Sequence, residues 1–283
     1  MNIQAVAAIQ MASGSNVTAN LNEAARLIQE AAHMGAKLIA LPENFALMAN
    51  NPDDYFEICE TQASGVIQDF LSQQAAKLGI WLVGGTIPIK TPETNKYRAA
   101  CLLFDNNGDC VNRYDKMHLF DVSVSANEHY CESGTIEAGN QVVVVDTPCG
   151  RLGMAICYDL RFPELFRQMQ TQGAELISVV SAFTAVTGKA HWEILVRSRA
   201  IENLSYVIAP NQGGYHINGR ETYGNSMIVD PWGVILSDLN QGSGVICAEI
   251  DLKKQSDLRH SFPVLEHRKI QCNEYSRLYS ISK

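Results

Sequence analysis

Three times in this chain an amphipathic stretch ends at a glycine and is followed at once by a short apolar run. No other feature narrows the available folds as much. Residues 21–34 have helical apolar spacing, Gly35 follows, and Lys37-Leu38-Ile39-Ala40-Leu41 is expected to be a strand. Val66–Leu78, Gly79 and Ile80-Trp81-Leu82-Val83 repeat the arrangement, as do residues 164–172, Gly173 and Glu175-Leu176-Ile177-Ser178-Val179-Val180. Glycine after a helix accepts the left-handed conformation that ends it. Apolar strands fed by such helices predict a sheet covered by helices. Two hairpins are also expected: residues 99–104 with 110–114 around Asp105-Asn106-Asn107-Gly108, and Ser226–Val229 with 234–236 around Pro231-Trp232-Gly233. Residues 245–250 add a strand. The expected class is therefore α/β with mixed sheets. No Pro/Gly/Ser-rich linker divides the chain, which predicts one domain over residues 1–283.

With 283 residues, 46% of them hydrophobic, the chain can bury a large core. Its net charge of -8 and pI near 5.4 argue against nucleic acid as a partner, because phosphate binding needs a basic surface. No apolar run is long enough to span a bilayer, so no membrane partner is expected. Met1-Asn2-Ile3-Gln4-Ala5-Val6 lacks the pattern of an export leader. The eight cysteines (Cys59, Cys101, Cys110, Cys131, Cys149, Cys157, Cys247 and Cys272) form no Cys-x-x-Cys pair. They read as reduced thiols of a cytoplasmic protein. No His-x-x-x-His or His-Glu-x-x-His occurs, so no metal site is expected. Gly84-Gly85 and Gly213-Gly214 lack a phosphate-loop pattern and read as turns.

Chemistry concentrates where an apolar strand, Leu152-Gly153-Met154-Ala155-Ile156, runs into Cys157, with Pro163 and Glu164 opening a helix six residues on. A cysteine at such a turn is presented at the end of a sheet, and the amide of Tyr158 can face developing negative charge. A buried, inert thiol is the competing reading. A free thiol has a pKa of about 8.5 and needs help to act as a nucleophile. His118, His129 and His191 could supply a Cys–His arrangement. Glu43, in Leu41-Pro42-Glu43-Asn44, and Lys116, in Tyr114-Asp115-Lys116-Met117-His118-Leu119, also stand at strand ends. There a carboxylate can act as general base, and an ammonium can favour thiolate and oxyanion.

These pieces, together with Cys157-Tyr158-Asp159-Leu160-Arg161-Phe162-Pro163-Glu164, Gly188-Lys189-Ala190-His191-Trp192-Glu193, Arg197-Ser198-Arg199-Ala200-Ile201-Glu202-Asn203 and Tyr223-Gly224-Asn225-Ser226-Met227-Ile228-Val229-Asp230-Pro231-Trp232-Gly233, resemble the nitrilase superfamily of carbon–nitrogen hydrolases across nearly the whole chain. The resemblance implies a four-layer α-β-β-α sandwich, homo-oligomers, and neither metal nor organic cofactor. It places a Glu–Lys–Cys triad on Glu43, Lys116 and Cys157, and a second, lysine-positioning glutamate on Glu132 of Tyr130-Cys131-Glu132-Ser133, after a loop, Asp121–His129, of variable character. The implied reaction is hydrolysis of a small-molecule carboxamide through a cysteine thioester, with release of ammonia.

Within the superfamily the chain most resembles the deaminated glutathione amidase branch, with the ω-amidase branch acting on α-ketoglutaramate as the alternative. N-carbamoyl hydrolysis is a further option. Nitriles are disfavoured, because the family's nitrilases carry Cys-Trp-Glu where this chain has Cys157-Tyr158-Asp159.

An anionic substrate on an acidic protein calls for a local cationic patch, for which Lys116, Arg161, Lys189 and Arg199 are candidates. Arg161 could clamp a substrate carboxylate or pair internally with Asp159 or Glu164; the internal pair is favoured. His191 and Arg199 could line the pocket, while Glu193 and Arg197, four apart on one helix, should form a surface pair.

Overall fold

The computed structural model describes residues 3–92, 95–125, 128–217 and 219–270. The first half of the chain runs β1 (Ile3–Gln10), α1 (Val17–His33), β2 (Leu38–Ala40), α2 (Asp54–Glu57), α3 (Val66–Leu78), β3 (Trp81–Val83), β4 (Ile87–Lys90), β5 (Tyr97–Phe104) and β6 (Cys110–Asp115). A hairpin, β7 (Asp121–Ser125) and β8 (Glu128–Cys131), leads to β9 (Val144–Thr147) and β10 (Gly150–Ile156). Then come α4 (Pro163–Thr171), β11 (Leu176–Val180), α5 (Ala185–Asn203), β12 (Tyr206–Ala209), β13 (Gly213–Tyr215), β14 (Glu221–Tyr223), β15 (Ser226–Val229), β16 (Ile235–Leu239), β17 (Gly244–Asp251) and α6 (Leu252–Ser261).

One sheet has the order β17-β1-β2-β3-β5-β4, with β6 also on β5; the other has the order β16-β15-β12-β11-β10-β9. Each contains a parallel trio, β1–β2–β3 or β10–β11–β12, flanked by antiparallel strands. Mixed sheets are thus present, as the helix–glycine–strand repeats and the hairpins together predict.

The pleat sorts side chains between layers. Val6 and Ala8 of β1, Leu38 and Ala40 of β2, Val83 of β3, and Cys101 and Leu103 of β5 share a core with Leu152, Met154, Leu176 and Val180 of the second sheet. The alternate residues Ala7, Ile9, Ile39, Leu82, Ala100 and Leu102 pack on Leu27 and Ile28 of α1 and on Leu71 and Ala75 of α3. Beyond the second sheet, Leu165, Phe166 and Met169 of α4 and Trp192, Val196 and Ala200 of α5 complete the stack. The architecture is a four-layer α-β-β-α sandwich.

Several boundaries differ from the sequence reading. Helix α1 begins at Val17 rather than at residue 21, because the Asn16 side chain accepts from the Ala19 amide and caps it. The three glycines adopt the expected positive φ, 92° at Gly35, 63° at Gly79 and 87° at Gly173. Residues 121–129, read as a variable loop, include the antiparallel β7–β8 pair, in which Asp121 faces Cys131. Gly85 serves more than a turn. At φ 59°, it lies so near the β2 exit that a Cβ there would sit 2.3 Å from the Pro42 carbonyl, one residue before Glu43.

Seven cysteines are free thiols, and Cys272 lies outside the described residues. Among the described residues, no helix is long and apolar enough to cross a membrane.

Candidate active site

Glu43 and Cys157 stand just past the C-terminal ends of parallel strands, β2 and β10 respectively, where side chains from adjacent α/β units converge. Lys116 follows β6, and Glu132 follows β8. Their backbones are fixed from outside their own elements. The Glu43 carbonyl accepts from Gln212 Nε2 at 3.0 Å, and the Asn44 amide donates to Thr86 Oγ1 at 2.8 Å. The Lys116 amide donates to the Ala99 carbonyl at 3.0 Å.

Lys116 is 1% exposed and donates from Nζ to Glu43 Oε1 and to Glu132 Oε1, each at 2.8 Å. The second oxygen of Glu132 accepts from the Phe120 amide at 2.8 Å, so the hairpin that carries this glutamate also orients it. Burial opposes the lysine's charge, yet Glu132 and Glu43 together hold its pKa well above the ordinary ammonium value.

Cys157 has φ 45°, in the left-handed region rarely used by residues with a side chain. Such a conformation costs of order 1–3 kcal/mol and persists only where the surroundings impose it. Burial, then the Glu43 carboxylate, push the thiol well above its ordinary value, against the pull of Lys116 and the Ala182 amide. The resting group is therefore a neutral thiol beside a carboxylate, which suits removal of its proton by a base.

Both Cys157 and Lys116 hold their protons more tightly folded than unfolded. Their contribution to stability is complete below the ordinary thiol value near 9 and is lost as pH rises beyond it. The melting temperature should hold to about pH 8.5 and fall by about pH 10, with a shallower fall in Cys157→Ala. Thermal melts showing stability that climbs across this interval would contradict the assignment.

Asp159 imposes the turn. Fully buried, it accepts from the Ile156 amide at 2.8 Å and the Tyr114 hydroxyl at 2.7 Å on Oδ2, and from the His118 amide at 3.1 Å on Oδ1. His118 Nδ1 lies 2.7 Å from the same Oδ1, and its ring stacks on Phe162 at 3.8 Å. One carboxylate thus ties the cysteine turn to the segment that carries Lys116. Asp159→Ala should cost about 3 kcal/mol or more, because it strands several buried donors. A urea titration giving under about 1 kcal/mol would refute this role.

This network also corrects the reading of Arg161. It pairs with neither Asp159, whose oxygens are occupied, nor Glu164. Its guanidinium lies 5.9 Å from the Tyr158 ring centroid and 5.4 Å from that of Phe183, with Nη1 3.2 Å from His191 Nδ1. It lines a small pocket of about 20 Å³ with Cys157, Tyr158, Ala182, Thr184 and Thr187. The Tyr158 ring packs on Phe120 and Phe162.

Other sequence candidates fall elsewhere. Arg199 is buried behind the cysteine turn, donating to the Leu160 carbonyl at 3.0 and 2.8 Å and to Glu202. It cannot reach a substrate there. His191 and Lys189 are exposed on α5 and do not line the pocket. Glu193 and Arg197 form the expected surface pair at 2.9 Å. Among the described residues no histidine lines the Cys157 pocket, which leaves a Cys–His arrangement without a partner; His118 is engaged by Asp159.

Arg220, just before β14, was missed in the sequence. No local pattern marks a lone arginine in a turn. It lines the Cys157 pocket and also a neighbouring cavity of about 280 Å³, in which Glu43, Asn44 and Glu132 recur.

A sequence model of the carbon-nitrogen hydrolase family matches residues 5–260. The chain is 43% identical over 265 residues to a Synechocystis protein named deaminated glutathione amidase, covering 93% of this chain and 97% of that one. The crystal structure of the Caenorhabditis elegans NitFhit protein superposes with TM-score 0.87 at 37% identity, covering 94% of this chain and 65% of that larger one. Saccharomyces cerevisiae Nit3, described as a member of branch 10 of the nitrilase superfamily, superposes with TM-score 0.84 at 33% identity, over 95% and 97% of the two chains. With its four-layer sandwich and these matches, the chain belongs to the carbon–nitrogen hydrolase family, enzymes that hydrolyse non-peptide amide C–N bonds.

Proposed function

We propose that the enzyme hydrolyses a small α-keto acid amide of the deaminated glutathione type by two acyl transfers at Cys157. The observation that carries this reading is Lys116, buried between Glu43 and Glu132 at 2.8 Å from each, with the Cys157 thiol beside the same groups. Glu43 takes the thiol proton as the sulfur bonds to the amide carbon. Lys116 and the Tyr158 backbone amide hold the oxyanion, and Glu132 positions Lys116. The C–N bond then breaks as Glu43 returns the proton to nitrogen. A primary amide releases ammonia, and an N-substituted amide releases its amine. Glu43 next deprotonates a water, whose oxygen attacks the thioester; the C–S bond breaks and the thiol is restored.

Arg161, in the Cys157 pocket, is assigned the carboxylate of the acyl half. The name of the Synechocystis relative supports deaminated glutathione over α-ketoglutaramate as the first substrate to test. We assign the protein to the cytoplasm, as a single-domain homo-oligomer. Exposed Ile194 and Ile201 on α5, with Trp232 and Val234 nearby, support self-association. Product release from deaminated glutathione, α-ketoglutaramate, simple aliphatic amides, N-carbamoyl amino acids and nitriles tests the reading. The first should lead in kcat/KM by roughly tenfold or more, a difference of only ~1.4 kcal/mol. Equal rates across the panel would refute the substrate assignment, and preferred nitrile turnover would refute the reaction.

A further inference from the structure

The geometry points to Asn44 as a catalytic residue of the second half-reaction, its side-chain amide holding the water that Glu43 activates to break the thioester. This deepens the reaction assigned above and rests on it.

Glu43 meets the lysine with one oxygen only. Oε1 accepts from Lys116 Nζ at 2.8 Å, which leaves Oε2 to exchange protons with the sulfur and later with water. A water held by that oxygen alone can swing about a single hydrogen bond, and its lone pair faces the thioester carbon only part of the time. A second fixed contact removes that freedom, and orientation of this kind lowers the barrier. The contact must come from a group beside Glu43.

The Cys157 pocket and the 280 Å³ cavity are two chambers that share Glu43, Asn44, Glu132 and Arg220. Both oxygens of Glu132 are engaged, by Lys116 and by the Phe120 amide. Arg220 directs Nη2 to the Ala182 carbonyl and Nη1 to the Met48 sulfur. Asn44 remains. Its backbone has φ 58°, and its N–H donates to Oγ1 of the buried Thr86 at 2.8 Å. That hydroxyl directs its own proton toward Asn44 Oδ1, 3.5 Å away. The amide oxygen is thereby turned to Thr86 and Nδ2 away from it, and Nδ2 donates to none of the described residues. Asparagine tolerates positive φ for purely local reasons, so the conformation alone assigns no role. The unused donor beside the base does.

With Nδ2 donating to the water oxygen and Glu43 Oε2 accepting its proton, one lone pair remains for the thioester carbon. The O–C bond forms as the proton passes to Glu43 and the carbonyl electron pair moves onto the oxyanion beside Lys116. Collapse then breaks the C–S bond, and the sulfur takes the proton back. The sulfur of the first half-reaction is fixed by its own backbone, whereas a water is fixed only by what it touches. Loss of the Asn44 amide therefore falls on deacylation.

Asn44→Gly removes the amide and accepts the positive φ without strain. Enzyme in excess over a chromogenic ester, quenched at intervals and followed by intact-mass spectrometry, gives the rise and the decay of the Cys157 acyl-enzyme separately. In Asn44→Gly the decay should slow by roughly 10- to 100-fold, the worth of one positioned hydrogen bond, while the rise changes by less than about threefold. Thr86→Val keeps the amide but frees it to turn, and should slow decay by about three- to tenfold. Melting curves establish that each variant is folded.

Decay in folded Asn44→Gly within about threefold of wild type overturns the inference, as does equal slowing of rise and decay. If Asn44→Gly does not fold, an unaltered decay in Thr86→Val overturns it instead. In each of these cases an acyl-enzyme that forms and decays in the wild type leaves the two-step reading standing. Absence of an acyl-enzyme on Cys157 in every variant removes both.

Discussion

Cys157→Ala should lower turnover by roughly 10⁴-fold or more, because Cys157 is the only thiol among the described residues lining the pocket and the acyl intermediate is a thioester. The fold should survive, since the cysteine is only half-buried and the Asp159 contacts that shape the turn use backbone and neighbouring side chains. Relief of the φ 45° strain is not expected, as alanine carries a Cβ too. Rapid quench with a chromogenic ester should show a burst of acyl-enzyme in the wild type and none in the variant. Residual turnover at a tenth of the normal rate would exclude sulfur as the nucleophile.

Lys116 carries the largest combined effect. In Lys116→Met, two carboxylates face each other across the vacated site, one of them almost fully buried. Breaking a buried ion pair by removing one partner costs about 3–5 kcal/mol. Loss of the oxyanion donor should lower kcat by a further ~10²- to 10³-fold. Structure and chemistry separate in the double variant Lys116→Met with Glu132→Gln, which should regain part of the stability but none of the turnover. Chemical denaturation and steady-state kinetics on the same preparations decide it. A single variant within about 1 kcal/mol of wild type would show that the ammonium is not electrostatically essential.

Much of the scaffold could be read from local pattern. The repeats around Gly35, Gly79 and Gly173 gave helices and strands within a few residues of their observed ends, because helix period, stop signal and apolar strand are all short-range properties. The β5–β6 and β15–β16 pairs were visible for the same reason. Strand β1 was not. Its Ile3-Gln4-Ala5-Val6-Ala7-Ala8-Ile9-Gln10 run is alanine-rich and its later residues are buried on both faces, so it shows no alternation of apolar and polar residues. The β7–β8 hairpin was read as loop because its residues are mostly polar and partly exposed, and its value lies in carrying Glu132 rather than in filling a core.

The amino-acid order by itself determined the helix and strand grammar, the mixed sheets, and the placing of Glu43, Lys116 and Cys157 at element ends. Those depend on neighbours within a turn or two. Only the tertiary structure decided which charges meet. It put Lys116 between Glu43 and Glu132, gave Asp159 to His118 and Tyr114 rather than to Arg161, turned Arg199 onto the Leu160 carbonyl, and set Arg220 between two chambers. The partners in each case come from distant parts of the chain. A charged side chain's role is fixed by whichever opposite charge, carbonyl or cavity lies within a few ångströms once the layers have closed, and spacing along the chain carries no record of that distance.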